Sequence, residues 1–244
     1  MPATRRLLLL SNSTDPAGNY LHHPREALGE LVGDGVRTVL FVPFASVTIS
    51  WDLYAERTAS AFASMGYQLT SLHTAASPAA AVRDAEAIAV GGGNTFHLLR
   101  ALYAADLLAP IRERVAAGVP YVGWSAGSVV ACATMCTTND MPIVVPPSLD
   151  ALALVPFQIN AHYTDVHPAG FRGETRAQRL AEFVAANPGV PVIGLPEGTM
   201  LRVHDDDVRL LGTPTSAGHA PVFGVAGVSV APPDEPLPFL LAGS

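Results

Sequence analysis

The 244-residue chain contains no lysine; all 14 of its basic residues are arginine. That absence excludes a Schiff-base lysine, a phosphate-loop lysine and a Ser–Lys dyad together. Charge of either sign is sparse, at 14% of residues, and the net charge is −7. A nucleic-acid surface needs a basic stripe, so no nucleic-acid partner is expected. Long hydrophobic runs are also missing. Leu7–Leu10 is too short for the apolar stretch of a signal peptide, and nothing approaches the roughly 20 apolar residues of a membrane span. The expectation is a cytoplasmic protein with no membrane association. Cysteine is nearly absent. Cys132 and Cys136 lie one helical turn apart without further Cys/His ligands, and read as reduced, buried small hydrophobes. His204-Asp205-Asp206-Asp207 pairs a histidine with acids, but consecutive residues at a hairpin tip point in different directions. No metal and no cofactor are expected.

What the chain has in quantity is apolar residue, 49% of the total, enough for a substantial core. Short apolar runs (7–10, 37–42, 67–72, 87–90 and 121–124) alternate with amphipathic stretches (24–31, 51–65, 79–85 and 95–117). The last stretch is broken near Asp106 or Pro110. Such alternation predicts an α/β fold: a doubly wound, mostly parallel sheet with helices on both faces. The second half is less regular. A long loop is expected over 137–173, then a helix over 174–186 and a buried strand over 191–195. An antiparallel hairpin of 200–204 and 208–211 turns at Asp205–Asp207, and apolar 221–231 precedes a proline-rich tail. No repeat or linker divides the sequence, so residues 1–244 are expected to form a single domain. A loop of that length in a compact domain is usually functional.

The most informative string is Gly123-Trp124-Ser125-Ala126-Gly127. It follows the apolar 119–122 and precedes small residues, 128–133, that read as a helix, so G-x-S-x-G stands in its strand–turn–helix context. The glycines permit a sharp turn that projects the Ser125 hydroxyl, and the following helix aims free N–H groups at the same spot. An ordinary N-cap serine is the competing reading. Gly91-Gly92-Gly93-Asn94-Thr95 follows another strand and opens another helix. It departs from the dinucleotide pattern G-x-G-x-x-G and suits an oxyanion-donor loop better.

A serine nucleophile needs a base, and the base needs an orienting acid. Spacing alone leaves His162 and His167, both in the long loop, open as the base. Glu197, just after the strand over 191–195, and Asp140, in the loop, are both open as the acid. Ligand crevices form at the carboxyl ends of parallel strands, which favours Glu197.

Several of these strings occur together in one order. They are Leu7-Leu8-Leu9-Leu10-Ser11-Asn12-Ser13-Thr14, Val42-Pro43-Phe44-Ala45, the Val90-to-Phe96 loop and the 123–128 turn. Thr137-to-Ile143, Gln158-to-His162, Gly173-Glu174-Thr175-Arg176 and Ile193-to-Gly198 complete the set. In this the chain resembles dipeptidase E, the bacterial α-aspartyl dipeptidase family of serine peptidases. The resemblance implies a class I glutamine amidotransferase-like fold and hydrolysis of Asp-X dipeptides. It places the nucleophile on Ser125, the base on His162, and the third member on Glu197 or Asp140. It further implies oxyanion donors at Ala126 and at Gly92 or Gly93, and Arg176 as partner of the aspartyl carboxylate. Ala161 stands where the family would have proline, and Ser128-Val129-Val130 where it often has Ala-Asn-Leu. The expected partner is a small peptide, and the expected assembly a monomer or small homo-oligomer. The alternatives are a cyanophycinase-like serine hydrolase acting on β-aspartyl peptides and a non-catalytic α/β binding protein.

Overall fold

Every residue of Leu7–Leu10 is fully buried, and the strand they belong to lies between parallel and antiparallel partners. A computed structural model describes residues 5–166, 170, 172–215 and 219–241. In chain order the elements begin with β1 (Arg6–Leu10), α1 (Arg25–Val32), β2 (Thr38–Val42), α2 (Trp51–Ala63), β3 (Gln68–Ser71) and α3 (Pro78–Asp84). There follow β4 (Ala87–Val90), α4 (Thr95–Ala104), α5 (Leu108–Ala116), β5 (Tyr121–Trp124), α6 (Ala126–Val129) and β6 (Gln158–Ala161). The chain closes with α7 (Arg176–Ala186), β7 (Val192–Leu195), β8 (Thr199–His204), β9 (Asp207–Gly212), β10 (Pro221–Gly224) and β11 (Gly227–Val230).

The larger sheet has the order β3-β2-β4-β5-β1-β8-β9. Its first five strands are parallel, and β8–β9 forms the antiparallel hairpin. Strand residues alternate between its faces. Leu8, Leu10, Phe41, Val122 and Trp124 pack with Leu28, Tyr54 and Phe62 of α1 and α2. Leu7, Leu9, Val42, Val90 and Tyr121 pack with residues of α3, α4 and α5 on the other side. Each fully buried leucine stabilises the fold by roughly 1.5–3 kcal/mol relative to exposure. This is the doubly wound α/β architecture expected from the alternation.

One open alternative is resolved and two local expectations are corrected. The 95–117 helix breaks at Asp106, which has φ +51°, whereas Pro110 sits in the first turn of α5, where a missing N–H is tolerated. The helix after Ser125 is a single turn, 126–129, rather than a run to residue 133. The long loop contains a strand, β6, that pairs in parallel with β7. These two join β10 and β11 in a second sheet of order β11-β10-β7-β6. Thus the 191–195 strand belongs to a sheet of its own, not to the one that carries Ser125. Ile159, Ala161, Ile193 and Leu195 face the shared core, while Val192 and Phe223 pack beneath Leu180 and Val184 of α7.

Candidate active site

The parallel strands β1, β2, β4 and β5 end on one edge, and the loops leaving them converge there. Ser125 follows β5 with φ +53° and ψ −113°, a region costly by about 1–3 kcal/mol for a residue with a side chain. The turn persists because its surroundings determine it. A Cβ at Gly123 would collide with the Gly127 carbonyl, and one at Gly127 would collide with the Val90 carbonyl. The buried Tyr121 hydroxyl donates to Gly127 O at 2.7 Å. Ser128 Oγ lies 2.7 Å from Leu10 O and 2.8 Å from Gly123 O, and the Ser125 N–H donates to Leu10 O at 3.0 Å. Only the Ser125 side chain is left free to project.

The second sheet supplies what the serine lacks. In the β6–β7 register Ala161 pairs with Leu195, so the chain leaves both strands at the same level. His162 follows β6 and Glu197 lies two residues beyond β7. His162 Nε2 is 2.9 Å from Ser125 Oγ, and His162 Nδ1 is 2.7 Å from Glu197 Oε1. With Nδ1 protonated, imidazole donates to the carboxylate and presents a lone pair to the hydroxyl. His162 and Glu197 side chains are 43% and 51% exposed, so the relay is open to solvent on one side. His162 itself has φ +54°. Its N–H donates to Ser11 Oγ at 2.9 Å, while Ser11 Oγ donates to Leu195 O at 2.8 Å. Asn12 Oδ1 accepts from the Gly198 N–H at 2.8 Å. Two residues after β1 therefore hold both strand ends that carry the histidine and the glutamate.

The glycine loop lies directly against the serine. A Cβ built on Gly92 would meet Ser125 Cβ at 3.0 Å. Gly93 has φ +139°, and a side chain there would strike the Ala45 carbonyl. Tyr54 fixes the loop: its hydroxyl accepts from Trp124 Nε1 at 2.8 Å and donates to Gly92 O at 3.1 Å. Among the described residues, the N–H groups of Ala126, Gly92 and Gly93 meet no acceptor. Three unpartnered donors beside a nucleophile can stabilise an oxyanion.

Asp140 is placed elsewhere. Its Oδ2 accepts from the Thr95 N–H at 2.7 Å, from Thr95 Oγ1 at 2.5 Å and from Thr138 Oγ1 at 3.2 Å. It caps the start of α4, the helix that the glycine loop opens, and makes no hydrogen bond with the His162 ring. His167 lies outside the described residues. Arg176 begins α7, capped by the reciprocal Thr175–Gln178 box, and its Nη1 donates to His162 O at 2.5 Å. Partial burial lowers its pKa from the usual arginine value. The remaining guanidinium faces a cleft of about 520 Å³ that Asn139, Asp140 and Thr164 also line. A second cleft, of about 390 Å³, lies over Ser125 and is bounded by Ser13, Tyr20, Arg57, Gly92, Gly93 and His162.

Sequence reasoning missed Ser11, Asn12, Tyr54 and Arg57. Ser11 and Asn12 were visible as part of a matching string; no local pattern marked Tyr54 or Arg57. Cys132 is buried, and burial pushes its thiol pKa up to about 12, but Cys136 is exposed, contrary to expectation. Among the described residues, both ring nitrogens of His23 are buried without a hydrogen-bond partner. Among the described residues no group of acids, histidines and cysteines could hold a metal, and no helix is long and apolar enough to cross a membrane.

The model of Peptidase family S51 matches residues 7–211. Peptidase E of a Nostoc species is 48% identical over 212 residues, covering 87% of this chain and 88% of the relative. Peptidase E of Shewanella amazonensis is 48% identical over 207 residues, covering 85% and 88%. The crystal structure of a peptidase from an acI-B1 actinobacterium superposes with a TM-score of 0.69 at 18% identity, covering 97% of both chains. A structure described as peptidase E-like, from Listeria monocytogenes, gives 0.64 at 22% identity, covering 86% of this chain and all of the other. These two structures share the fold.

Proposed function

The chain belongs to peptidase family S51, and from that premise we propose that it is a serine-type dipeptidase cleaving Asp-X dipeptides through an acyl-enzyme on Ser125. The observation that carries the reading is the Ser125–His162–Glu197 relay at 2.9 and 2.7 Å, facing three unpartnered N–H groups. In the first half-reaction His162 Nε2 takes the Ser125 proton as Oγ bonds to the scissile carbonyl carbon. The carbonyl oxygen becomes an oxyanion and accepts from Ala126 and from Gly92 or Gly93. Glu197 holds Nδ1–H and stabilises the imidazolium. His162 then protonates the leaving amine as the C–N bond breaks. Water, deprotonated by the same nitrogen, attacks the acyl-enzyme, and collapse returns the proton to Ser125.

Arg176 supplies the aspartyl preference in this reading. One nitrogen is fixed on the His162 carbonyl, so the guanidinium is tied to the backbone of the base itself. A carboxylate bound to the rest of it sits at a set reach from Ser125, which longer or uncharged side chains do not match. The parent should favour Asp-Leu over Asn-Leu by about 30-fold or more in kcat/KM, the scale of a hydrogen-bonded charge pair. Arg176→Ala should reduce that ratio to within a few-fold, whatever happens to the absolute rates. An undiminished ratio in the variant would assign recognition to another group. The same dipeptide panel tests the activity itself, since a parent that leaves Asp-Leu intact contradicts the reading.

A further inference from the structure

The cleft over Ser125 contains one cation that the reading above leaves unused. Arg57, in the second turn of α2, has its guanidinium carbon 4.1 Å from the centroid of the Tyr20 ring. Tyr20 in turn meets Trp124 edge-to-face at 6.3 Å, and Trp124 immediately precedes Ser125. Stacking on an aromatic face holds a guanidinium in place while leaving its N–H edges free. Among the described residues no carboxylate pairs with Arg57, and its side chain donates no hydrogen bond. A fixed, unpaired, solvent-facing cation beside a nucleophile is complementary to an anion carried by the substrate. Arg176 cannot serve the same anion. It lines the other cleft, and the two clefts share only Asp140.

An Asp-X dipeptide carries two carboxylates, one on the acyl half and one at the end of the leaving half. Resting on the dipeptidase reading, we propose that Arg57 binds the C-terminal carboxylate of the leaving residue and thereby restricts cleavage to dipeptides. In a longer peptide the same position is a neutral amide, which offers one acceptor oxygen and no charge to the guanidinium fork. Arg57 is a specificity determinant here and takes no part in proton transfer. Tyr54, whose hydroxyl lines the cleft beside it, is already committed to Trp124 and Gly92.

The test compares Xaa-Leu with its C-terminal amide, Xaa-Leu-NH2, where Xaa is whichever residue the parent cleaves fastest. The parent should prefer the free acid by about 30-fold in kcat/KM. Arg57→Ala should lower the free acid to the level of the amide, mainly through KM, with the amide rate within about threefold of the parent. Arg57→Lys should restore part of the preference, because it keeps the charge and loses the fork. Retained discrimination in Arg57→Ala, or a proportional loss on both substrates, overturns the proposal. Because Xaa is chosen by turnover, a parent that prefers a residue other than aspartate refutes the aspartyl reading and leaves the Arg57 comparison intact.

Discussion

Ser125→Ala is expected to lower turnover of Asp-Leu by a factor of about 10⁴ or more while leaving the protein folded, because nucleophile removal abolishes the covalent route. The two halves of this expectation rest on different observations. Loss of activity follows from the single hydroxyl placed 2.9 Å from His162 Nε2. Retention of the fold follows from the same bond being the only one that hydroxyl makes among the described residues. The turn is fixed by backbone and by Tyr121, Ser128 and the two glycines, none of which the substitution touches. The change in stability should therefore stay within about 1 kcal/mol, the centre of the range for single substitutions. Equilibrium urea unfolding of parent and variant checks it. A variant that unfolds at much lower urea would mean that the hydroxyl had a structural role, and its inactivity would then carry no mechanistic weight.

Glu197→Gln and Asp140→Asn separate the two candidate acids, and the expected effects differ widely. Glu197 is the carboxylate on His162 Nδ1, at 2.7 Å. An amide there either donates to the ring and enforces the wrong tautomer, or accepts without the charge that stabilises imidazolium. The milder of these outcomes corresponds to at least about 100-fold in kcat, and the harsher to about 10⁴. Asp140 uses one oxygen, Oδ2, for all three of its contacts, and an asparagine oxygen can accept the same bonds. Asp140→Asn should cost less than about tenfold, through a looser start of α4 and of the glycine loop it follows. The reverse ranking would move the orienting role to Asp140. The clean readout is kcat on one substrate at one pH, with the two variants measured beside the parent.

The serine turn was legible because its requirements are local. Gly123 and Gly127 are needed by contacts within five residues and one neighbouring strand, so the sterics appear directly in the pentapeptide. Four of the five parallel strands were legible for a similar reason, being apolar on both faces, whereas β3 is an edge strand with exposed Gln68 and Thr70. The histidine was not. Spacing left His162 and His167 open, because the strand that delivers His162 hides its pattern: Gln158 and Asn160 are buried polar residues. Asn160 Nδ2 donates to Thr137 O and Asn139 Oδ1, at 2.8 and 2.9 Å, and no periodicity in Gln158–Ala161 announces that pairing. Family resemblance chose the histidine where physics read from the sequence did not.

Glu197 was favoured as the residue after a parallel strand, and its carboxylate does lie on His162 Nδ1. That strand, however, belongs to the second sheet rather than to the one that carries Ser125, and the two sheets meet through Ser11, which bonds Leu195 and His162 together. Contacts that link residue 11 to residues 162 and 195 have no sequence signature short of recognising the whole string. The same holds for Arg57, whose position depends on a ring from residue 20 and a turn at residue 125. What a single sequence reveals here is the element that carries Ser125. His162 and Glu197 are brought to it by tertiary packing.

The claim on which all of this depends is that Ser125 is a nucleophile activated by His162. It is tested most directly by treating the native protein with an aspartyl diphenyl phosphonate and locating the adduct by peptide mass spectrometry. The account predicts one phosphonyl group per chain, on the peptide containing Ser125, with labelling in step with loss of Asp-Leu turnover and abolished by His162→Ala. An adduct on any other residue, or an active protein that the reagent leaves unlabelled, would contradict it.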